Sequence, residues 1–273
     1  MTPRKVAFIT GASRGIGKAC ALRLARAGWD IAVAAKSIHE NPKLPGTITA
    51  TAEALREMGV DGFPVRCNVR DLDSVRRAAE ATLEHFGRVD AVINNAGALW
   101  WRPMDETPMN RFDLVMEVNV RGAYAVTEAF LPALKAQRSG HVLMMSPPID
   151  LKAVPGHIAY SISKFGMTLI ALGLAEELRD HAIRATALWP KTIIESYATI
   201  NFHLGNPSLW RKADILADAT FEILSRPEQS NGRAVIDEDF LRECGYSDFD
   251  RYRCTPDGTP LELTSELMAA ARS

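Results

Sequence analysis

The sequence has little cysteine, almost no net charge and no long apolar run, and each shortage excludes a class of protein. A net charge of -1 leaves no basic surplus for nucleic acid or an anionic membrane surface. No stretch reaches the roughly 18 uninterrupted apolar residues typical of a membrane span, and residues 1–10 contain no apolar signal region. We therefore predict a cytoplasmic protein with no membrane span and no nucleic-acid partner.

The few cysteines exclude a disulfide framework and a zinc site. Cys20 falls in a helical pattern, Cys67 ends a strand pattern, and none of the four cysteines has metal-ligand spacing. We predict free thiols, buried at least in the first two cases, in a reducing compartment. No metal site is predicted.

Short runs rich in β-branched residues alternate with amphipathic segments along the chain. Several of the runs are apolar almost throughout, which is typical of parallel strands covered on both faces. The alternation predicts an α/β fold of Rossmann type, a doubly wound parallel sheet of about seven strands with helices on both faces. No composition shift marks a second domain, so residues 1–273 are predicted to form one dinucleotide-binding and catalytic domain. The predicted strands are 5–10, 30–35, 63–67, 90–94, 140–146, 183–189 and 233–237, and the predicted helices are 15–28, 48–58, 71–86, 109–137, 157–180 and 210–225.

Irregular segments follow several of the predicted strands. In open α/β sheets, ligands bind at the carboxyl ends of the strands, so these segments are expected to surround the site. Residues 190–212 are interpreted as a substrate loop, and the polar tail 238–273 shows no clear pattern of secondary structure. The irregular segments are 37–47, 98–108, 146–156 and 190–209.

A glycine-rich turn, "TGASRGIG", follows the first predicted strand. Gly11, Gly15 and Gly17 allow a close backbone approach to a pyrophosphate, and the next helix directs its N-terminal amides at the same anion. An ordinary glycine turn is the alternative. The position between strand and helix, with "NNAG" at 94–97 after the fourth strand, favours a dinucleotide site.

Tyr160 and Lys164 lie four residues apart on a predicted helix and therefore share one face. A neighbouring ammonium, helped by the positive charge of an oxidised nicotinamide, favours tyrosinate and brings a phenol of pKa about 10 towards working range. Ser146, at the end of the fifth strand, is placed to bind a substrate oxygen. Asn119 is placed to bind a water and extend a proton relay to Lys164. A chance surface pair is the alternative for Tyr160 and Lys164 alone.

These motifs, in this order, resemble the short-chain dehydrogenase/reductase family over residues 4 to 240. The resemblance implies hydride transfer between a nicotinamide cofactor and an alcohol/carbonyl pair. It implies that Tyr160 is the general acid/base, and that Lys164 lowers its pKa and holds the nicotinamide ribose. Ser146 would orient the reacting oxygen, and Asn119 would maintain the relay. The cofactor contacts predicted in this way are Gly11, Ser13, Arg14, Gly15, Ile16, Gly17, Lys36, Ser37, Asn68, Val69, Asn95, Ala96, Gly97, Tyr160, Lys164, Pro190, Thr192 and Ile193.

The stretch "AAKSIHENPKLPGTI" at 34–48 bears on which cofactor is bound. NAD enzymes commonly place an acidic residue at the end of the second strand for the ribose hydroxyls. Here Lys36 and Ser37 stand instead, with Arg14 nearby, which suits a 2′-phosphate. NADP(H) is favoured and NAD(H) stays possible. Pro42, Pro45 and Gly46 indicate an ordered excursion between strand and helix.

Two positions depart from the family pattern. Pro190–Lys191 replaces the usual Pro-Gly after the sixth strand, and Lys191 is either a solvated residue or a contact to a cofactor phosphate or acidic substrate. Pro147 favours an extended backbone at Ser146 and stiffens one wall of the site, with a rigid turn that makes no substrate contact as the alternative. "AAKS", "SPP" and "LWPKT" also resemble a narrower group whose animal members append a sterol-carrier domain. These 273 residues contain no such domain.

Aromatic residues predict an apolar or lipid-like substrate. His157 is interpreted as a polar rim residue, with a catalytic role as the alternative. Epimerisation or dehydration on the same scaffold, and a catalytically idle nucleotide sensor, remain alternative functions. The family resemblance implies a homodimer or homotetramer through the long helices. The predicted pocket residues are Trp100, Trp101, Pro147, Phe202 and Trp210.

Overall fold

A seven-stranded parallel sheet forms the centre of the protein, with strand order β3-β2-β1-β4-β5-β6-β7. The computed structural model describes residues 3–40 and 45–263. Every neighbouring pair of strands is parallel, and all seven predicted strands are confirmed. The strands are β1 (Val6–Thr10), β2 (Asp30–Ala35), β3 (Gly62–Arg66), β4 (Ala91–Asn94), β5 (Gly140–Met145), β6 (Ile183–Trp189) and β7 (Ala234–Ile236).

Helices cover both faces of this sheet. In β1, Ala7 and Ile9 pack into one apolar cluster and Phe8 into the other, where its ring lies 4.7 Å from that of Phe130. Because both faces are buried, the strands carry apolar side chains at nearly every position rather than at alternate ones. The helices are α1 (Gly15–Arg26), α2 (Ile48–Glu57), α3 (Leu72–Phe86), α4 (Met109–Val115), α5 (Gly122–Gln137), α6 (Ile158–Glu177), α7 (Tyr197–Asn201), α8 (Asp214–Ser225), α9 (Pro227–Ser230) and α10 (Asp237–Glu243).

The prediction of one continuous helix over 109–137 is wrong, because the segment contains two α-helices. A π-helical turn, Met116–Arg121, separates α4 from α5. A π turn bonds residue i to i+5 and so widens the helix locally, which hydrophobic spacing does not reveal. Asn119 lies on this turn and is fully buried.

The C-terminal region is more ordered than its polar sequence indicates. Helix α10 begins at Asp237, and its Phe240 and Leu241 are buried in the core. Only two apolar residues in a seven-residue helix are too few for a periodic signal. Helix α8 also begins later than predicted, because Arg211 instead bridges Ile194 and Arg253 in extended pairings. The rest of the predicted tail, 264–273, lies outside the described residues.

Helix α6 is long and apolar enough, by length and composition, to cross a membrane. Its apolar face packs against the sheet, however, where Met167 and Ala171 are fully buried. It also carries Lys164, whose buried ammonium faces the protein interior. These contacts are those of a core helix, and it is the one such candidate among the described residues.

Candidate active site

The glycine-rich turn links β1 to α1. Gly11 and Gly15 adopt positive φ angles of 68° and 53°, which side chains rarely allow. A Cβ on Gly17 would lie 2.5 Å from the Gly11 carbonyl oxygen, so only glycine fits there. A Cβ on Gly15 would meet nothing within 4 Å. The turn therefore packs tightly on its inner side and leaves open space beside the start of α1.

The "NNAG" segment after β4 is tied to this turn. Asn95 donates from Nδ2 to the Thr10 carbonyl oxygen at 2.9 Å. The Thr10 hydroxyl in turn accepts the backbone N–H groups of Asn95 and Ala96, both at 3.0 Å. Asn95 therefore holds two loops at the carboxyl edge of the sheet in fixed register. Thr10 is a site residue that the sequence reasoning missed, although it stands in the quoted motif.

Arg14, Ser37 and Lys36, the residues predicted for the adenosine end, lie close together. The Arg14 guanidinium donates to Ser37 Oγ at 3.0 Å and to the Gly46 carbonyl oxygen at 2.8 Å. Gly46, with φ of 106°, folds back so closely that a Cβ would lie 2.6 Å from the Ser13 carbonyl oxygen. Lys36 is exposed and has no polar partner among the described residues. The excursion therefore closes on the glycine turn, while Pro42 lies outside the described residues.

Asn68 and Val69 follow β3 at the same edge. The Asn68 N–H donates to Ser74 Oγ at 3.0 Å, which fixes the backbone as α3 begins. Val69 is buried and packs against Gly122, where a Cβ would come within 2.9 Å of its side chain. Both residues lie at the carboxyl end of a strand, as predicted, and their contact with a cofactor stays a prediction.

Ser146 and Lys164 meet at the end of β5. Lys164 donates from Nζ to the Met145 carbonyl oxygen at 2.8 Å, directly before Ser146. Its ammonium lies 5.9 Å from the Tyr160 ring centroid. Ser146 is fully buried, and its Oγ has no hydrogen-bond partner among the described residues. An unpaired buried hydroxyl is costly unless it serves a ligand.

Burial controls the pKa values of the pair. It raises the pKa of Tyr160 above its ordinary value and lowers the pKa of Lys164 to about 8. The lowering of the Tyr160 pKa expected from a neighbouring ammonium together with the positive charge of an oxidised nicotinamide stays a prediction. The ammonium is several ångströms from the ring and bonds to a carbonyl, so desolvation outweighs its attraction for a tyrosinate.

Asn119 connects the π turn to the loop after β4. Its Oδ1 accepts the Ala98 N–H at 2.7 Å, and its Nδ2 donates to the Ala98 carbonyl oxygen at 3.0 Å and to Ser163 Oγ at 2.9 Å. A Cβ on Gly97 would lie 3.5 Å from Asn119 Oδ1 and 3.7 Å from Lys164 Nζ. Gly97 therefore lies between the two residues of the predicted relay. Ser163, fully buried, was missed by sequence reasoning although it falls within "YSISK".

The loop after β6 carries Thr192, whose buried Oγ1 has no hydrogen-bond partner within residues 3–40 and 45–263. Ile193 is also buried, and Pro190 is half-buried. Lys191 lies within 3.8 Å of carboxylate oxygens of Glu238, Asp239 and Glu262. Neither alternative considered for Lys191 anticipated this, because its partners are distant in sequence.

Aromatic residues lie beside Tyr160. The Trp101 ring stacks on His157 at 3.8 Å and lies 5.5 Å from the Tyr160 ring. His157 is buried, so the interpretation as a rim residue is wrong. Its ring instead supports the indole. Trp100 instead contacts Thr107, because its indole N–H donates to Thr107 Oγ1 at 3.2 Å.

The other predicted pocket residues have contacts of their own. The Pro147 carbonyl oxygen accepts the Thr168 hydroxyl at 2.5 Å, which ties the segment after Ser146 to α6. Trp210 is buried, and its indole N–H donates to the Leu204 carbonyl oxygen at 2.7 Å. Phe202 directly follows α7 and is half-buried. Of the five, Trp101 is the one that ring contacts place beside Tyr160.

The donor set fits a nicotinamide dinucleotide. Open space beside Gly15 suits a pyrophosphate at the start of α1. At the other end, the unpartnered hydroxyls of Ser146 and Thr192 suit a substrate oxygen and a carboxamide. No group of three or more His, Cys, Asp or Glu side chains within the described part of the chain is arranged to hold a metal ion.

The chain matches a family model and a curated protein over most of its length. The model for the short chain dehydrogenase family matches residues 5–199. The hydroxysteroid dehydrogenase-like protein 2 of Rattus norvegicus is 44% identical over 257 residues. That alignment covers 93% of this chain and 49% of the rat protein, so the chain spans about half the length of this relative.

Solved structures share the fold. A short chain dehydrogenase from Mycobacterium thermoresistibile has a TM-score of 0.88 and 40% identity, covering 95% of this chain and 94% of the other. A metagenomic short-chain oxidoreductase in complex with NADP has a TM-score of 0.71 and 27% identity, covering 85% of this chain and 95% of the other. The likeness in fold thus extends over most of this chain.

Proposed function

The chain belongs to the short-chain dehydrogenase family, and from that premise we propose an NADP-preferring oxidoreductase that interconverts an apolar alcohol and its carbonyl form. One observation carries the proposal. The unpartnered hydroxyl of Ser146 belongs to the residue directly after Met145, whose carbonyl oxygen accepts a hydrogen bond from Lys164. Lys164 and Tyr160 both lie on α6. A hydroxyl, a phenol and an ammonium together are the groups needed to bind and protonate a carbonyl oxygen.

The glycine turn and the loop after β6 would hold the two ends of the cofactor. When bound, the nicotinamide supplies or accepts the hydride and, in its oxidised form, adds a positive charge near Tyr160. Thr192 would bind the carboxamide through its free hydroxyl, and Gly97 leaves room beside Lys164 Nζ. Each of these roles uses a polar group or space that the protein itself leaves available.

Proton transfer is assigned to the Tyr160 hydroxyl. Ser146 Oγ donates a hydrogen bond to the substrate oxygen and orients it, and Tyr160 gives that oxygen a proton in reduction or takes one in oxidation. Since burial raises the pKa of Tyr160, the phenol is protonated at neutral pH. We therefore expect reduction to proceed at neutral pH, and kcat/KM for oxidation to rise as the pH is raised.

The preference for NADP(H) rests on the adenosine end. Arg14 and Ser37 lie within hydrogen-bond distance of each other, and Lys36 is exposed beside them. Two cations and a hydroxyl offer charge-assisted hydrogen bonds to a 2′-phosphate, whereas the residues directly after β2 are Lys36 and Ser37 rather than the acidic residue that binds a ribose diol. The next carboxylate along the chain, Glu40, accepts the Gly46 N–H at 3.2 Å. The NADP complex of a structural neighbour supports the same preference.

An apolar substrate is proposed from Trp101. Its indole lies 5.5 Å from the Tyr160 ring and is backed by the stacked His157. A flat apolar wall beside the acid/base favours substrates with hydrocarbon next to the reacting oxygen. Steroids, fatty aldehydes, terpenoids and acyl thioesters all satisfy that description.

A homo-oligomer is proposed from the outer face of α5 and α6. Tyr124 is 62% and Leu169 is 59% exposed, and Tyr124 borders a shallow depression that also contains Met116 and Val120. Exposed apolar side chains on two long neighbouring helices suit contact with a second copy of this chain.

Replacement of Tyr160 by phenylalanine tests the reaction. Tyr160→Phe removes the proton donor but keeps the ring, so NADPH-dependent reduction of a carbonyl panel should fall at least about 100-fold. NADPH affinity should stay within a few-fold. Tyr124→Phe, which changes an exposed tyrosine, is the matched control and should keep full activity. Turnover is measured by NADPH oxidation and affinity by fluorescence titration.

Other outcomes identify the alternatives. Unchanged turnover in Tyr160→Phe would exclude tyrosine as the acid/base. If wild type reduces none of the panel, yet NADPH changes its association with another protein, a nucleotide sensor is the better description. Turnover of a sugar-like or hydroxylated substrate without net NADPH consumption would indicate epimerisation or dehydration.

A further inference from the structure

The end of the described chain pairs with the loop after β6. Leu263 donates its N–H to the Lys191 carbonyl oxygen at 2.7 Å, and Ile193 donates to the Leu261 carbonyl oxygen at 3.2 Å. Thr192 and Glu262 form the antiparallel bridge between these two hydrogen bonds. Residues 261–263 thus add a short strand directly to 191–193, the segment that carries the free hydroxyl of Thr192.

Lys191 is held from a second direction. Its N–H donates to Asp237 Oδ1 at 2.8 Å, and Asp237 is fully buried. Its ammonium lies 3.3 Å from Asp239 and 3.8 Å from Glu262. The N–H, the carbonyl and the side chain of Lys191 are therefore all bonded to residues of the C-terminal region.

The other edge of the loop is paired as well. Arg211 donates its N–H to the Ile193 carbonyl oxygen at 2.9 Å and accepts the Glu195 N–H at 2.9 Å. Leu261 donates to the Leu209 carbonyl oxygen at 2.9 Å. The C-terminal segment consequently contacts both the loop and the strand-like residues that flank it.

We propose that the C-terminal clamp, Leu261–Leu263 together with Asp237, positions the loop after β6 for the nicotinamide end of the cofactor. The inference rests on the proposed function. A site group held in place before binding spends less free energy on ordering when the ligand arrives. Lys191 stands where the family usually has glycine, and its N–H, carbonyl oxygen and ammonium all contact residues of the C-terminal region.

The clamp should act on one end of the cofactor only. The adenosine end is formed by Arg14, Ser37 and Gly46, where the Arg14 guanidinium donates to the other two residues. No hydrogen bond or ion pair among the described residues joins them to the clamp. Loss of the clamp should therefore weaken binding of the whole dinucleotide but spare a fragment that lacks nicotinamide. A merely structural role would weaken both ligands equally.

Two truncations of the full chain test this. Truncation after Leu263 keeps every pairing described above, and truncation after Pro260 removes Leu261–Leu263. Calorimetry measures the affinity of each for NADP and for 2′-phospho-ADP-ribose, and circular dichroism confirms folding. After Pro260, NADP affinity should fall at least about 10-fold, and 2′-phospho-ADP-ribose affinity should stay within about twofold, as expected from lost preorganisation. After Leu263, both affinities should stay within about twofold of wild type.

A point variant covers the case in which the shorter chain does not fold. Leu263→Pro removes the donor to the Lys191 carbonyl oxygen and should lower NADP affinity at least about threefold with the fragment unaffected. Equal losses for both ligands, or unchanged NADP affinity in the folded variants, would overturn the clamp. Failure of wild type to bind either ligand would instead overturn the proposed function, and the clamp with it.

Discussion

Under the proposed preference for NADP(H), Arg14 is the residue that we expect to discriminate most directly between the two dinucleotides. Its guanidinium is held by Ser37 and by the Gly46 carbonyl, so its charge is fixed near the end of β2. A charge-assisted hydrogen bond contributes about 1.5–3 kcal/mol, equivalent to about 10–100-fold in affinity. We expect Arg14→Gln to weaken NADP binding by that factor and to change NAD binding less than about threefold.

Lys36→Ala is the comparison for Arg14, since Lys36 is exposed and without polar partners in the described chain. Isothermal titration with both dinucleotides separates the two residues. A loss of NAD affinity as large as that of NADP would mean that Arg14 mainly supports the loop. Tighter binding of NAD than of NADP by wild type would contradict the cofactor assignment altogether.

We expect the buried Lys164 to lower the free energy of unfolding while it serves the proposed reaction. Burial lowers the pKa of Lys164 to about 8, below the value of about 10.4 for an unfolded lysine. Between these pH values the unfolded chain binds more protons, so stability rises with pH and the burial cost is largest below pH 8. Lys164→Met should therefore raise the free energy of unfolding at pH 7 by about 1–2 kcal/mol, after the lost hydrogen bond to Met145 is counted.

Urea unfolding without cofactor, at pH 7 and at pH 9.5, checks this prediction. The difference between wild type and Lys164→Met should shrink at the higher pH, and activity should be lost at both. Lys152→Met, at an exposed position, should show neither effect. A destabilised Lys164→Met at pH 7 would show that the hydrogen bond to Met145 outweighs desolvation.

At the scale of elements, the π turn depends on close packing against α6. A Cβ on Gly166 would lie 2.9 Å from one Val120 methyl group and 3.3 Å from the other. Val120 is β-branched and belongs to the turn that carries Asn119, so it yields poorly. Gly166→Ala should lower the free energy of unfolding by about 1–3 kcal/mol through overpacking and should also reduce activity.

Gly173 supplies a control on the same helix. A Cβ there would meet nothing within 4 Å, so Gly173→Ala should stabilise the protein by about 0.5–1 kcal/mol through helix propensity alone. Denaturant unfolding measures the free energy of unfolding of Gly166→Ala and Gly173→Ala. Equal effects of the two substitutions would show that contact with Val120 is not what fixes the π turn.

The elements themselves differ in how far sequence reasoning predicts them. All seven strands are predicted, because short runs rich in β-branched residues and bounded by turns are a local signal. The π turn and α10 were missed, because a single i→i+5 turn and a seven-residue polar helix leave no periodicity to detect. Similarly, Tyr160, Lys164 and Ser146 stand in readable motifs, whereas Asp237 acts on Lys191 from 46 residues away.

For the whole molecule, the outer face of α5 and α6 predicts self-association. A charge at Leu169, which is 59% exposed, would be buried without a partner in a symmetric contact. Leu169→Glu should therefore convert an oligomer to a smaller species, measured by analytical ultracentrifugation. Leu151→Glu, at a 75% exposed position outside these helices, should leave the mass unchanged. A monomeric wild type would contradict the proposed oligomer.

The sequence by itself determined the order of the seven strands, the glycine turn and the positions of the motifs that contain Ser146, Tyr160 and Lys164. These features depend on periodicity and spacing within short windows, which a linear chain displays directly. Only the tertiary structure decided which distant segments meet: Arg14 with Gly46, Trp101 with His157, and residues 261–263 with 191–193. Those contacts depend on how the backbone folds back on itself, and single backbone hydrogen bonds between remote residues leave no mark on composition or spacing.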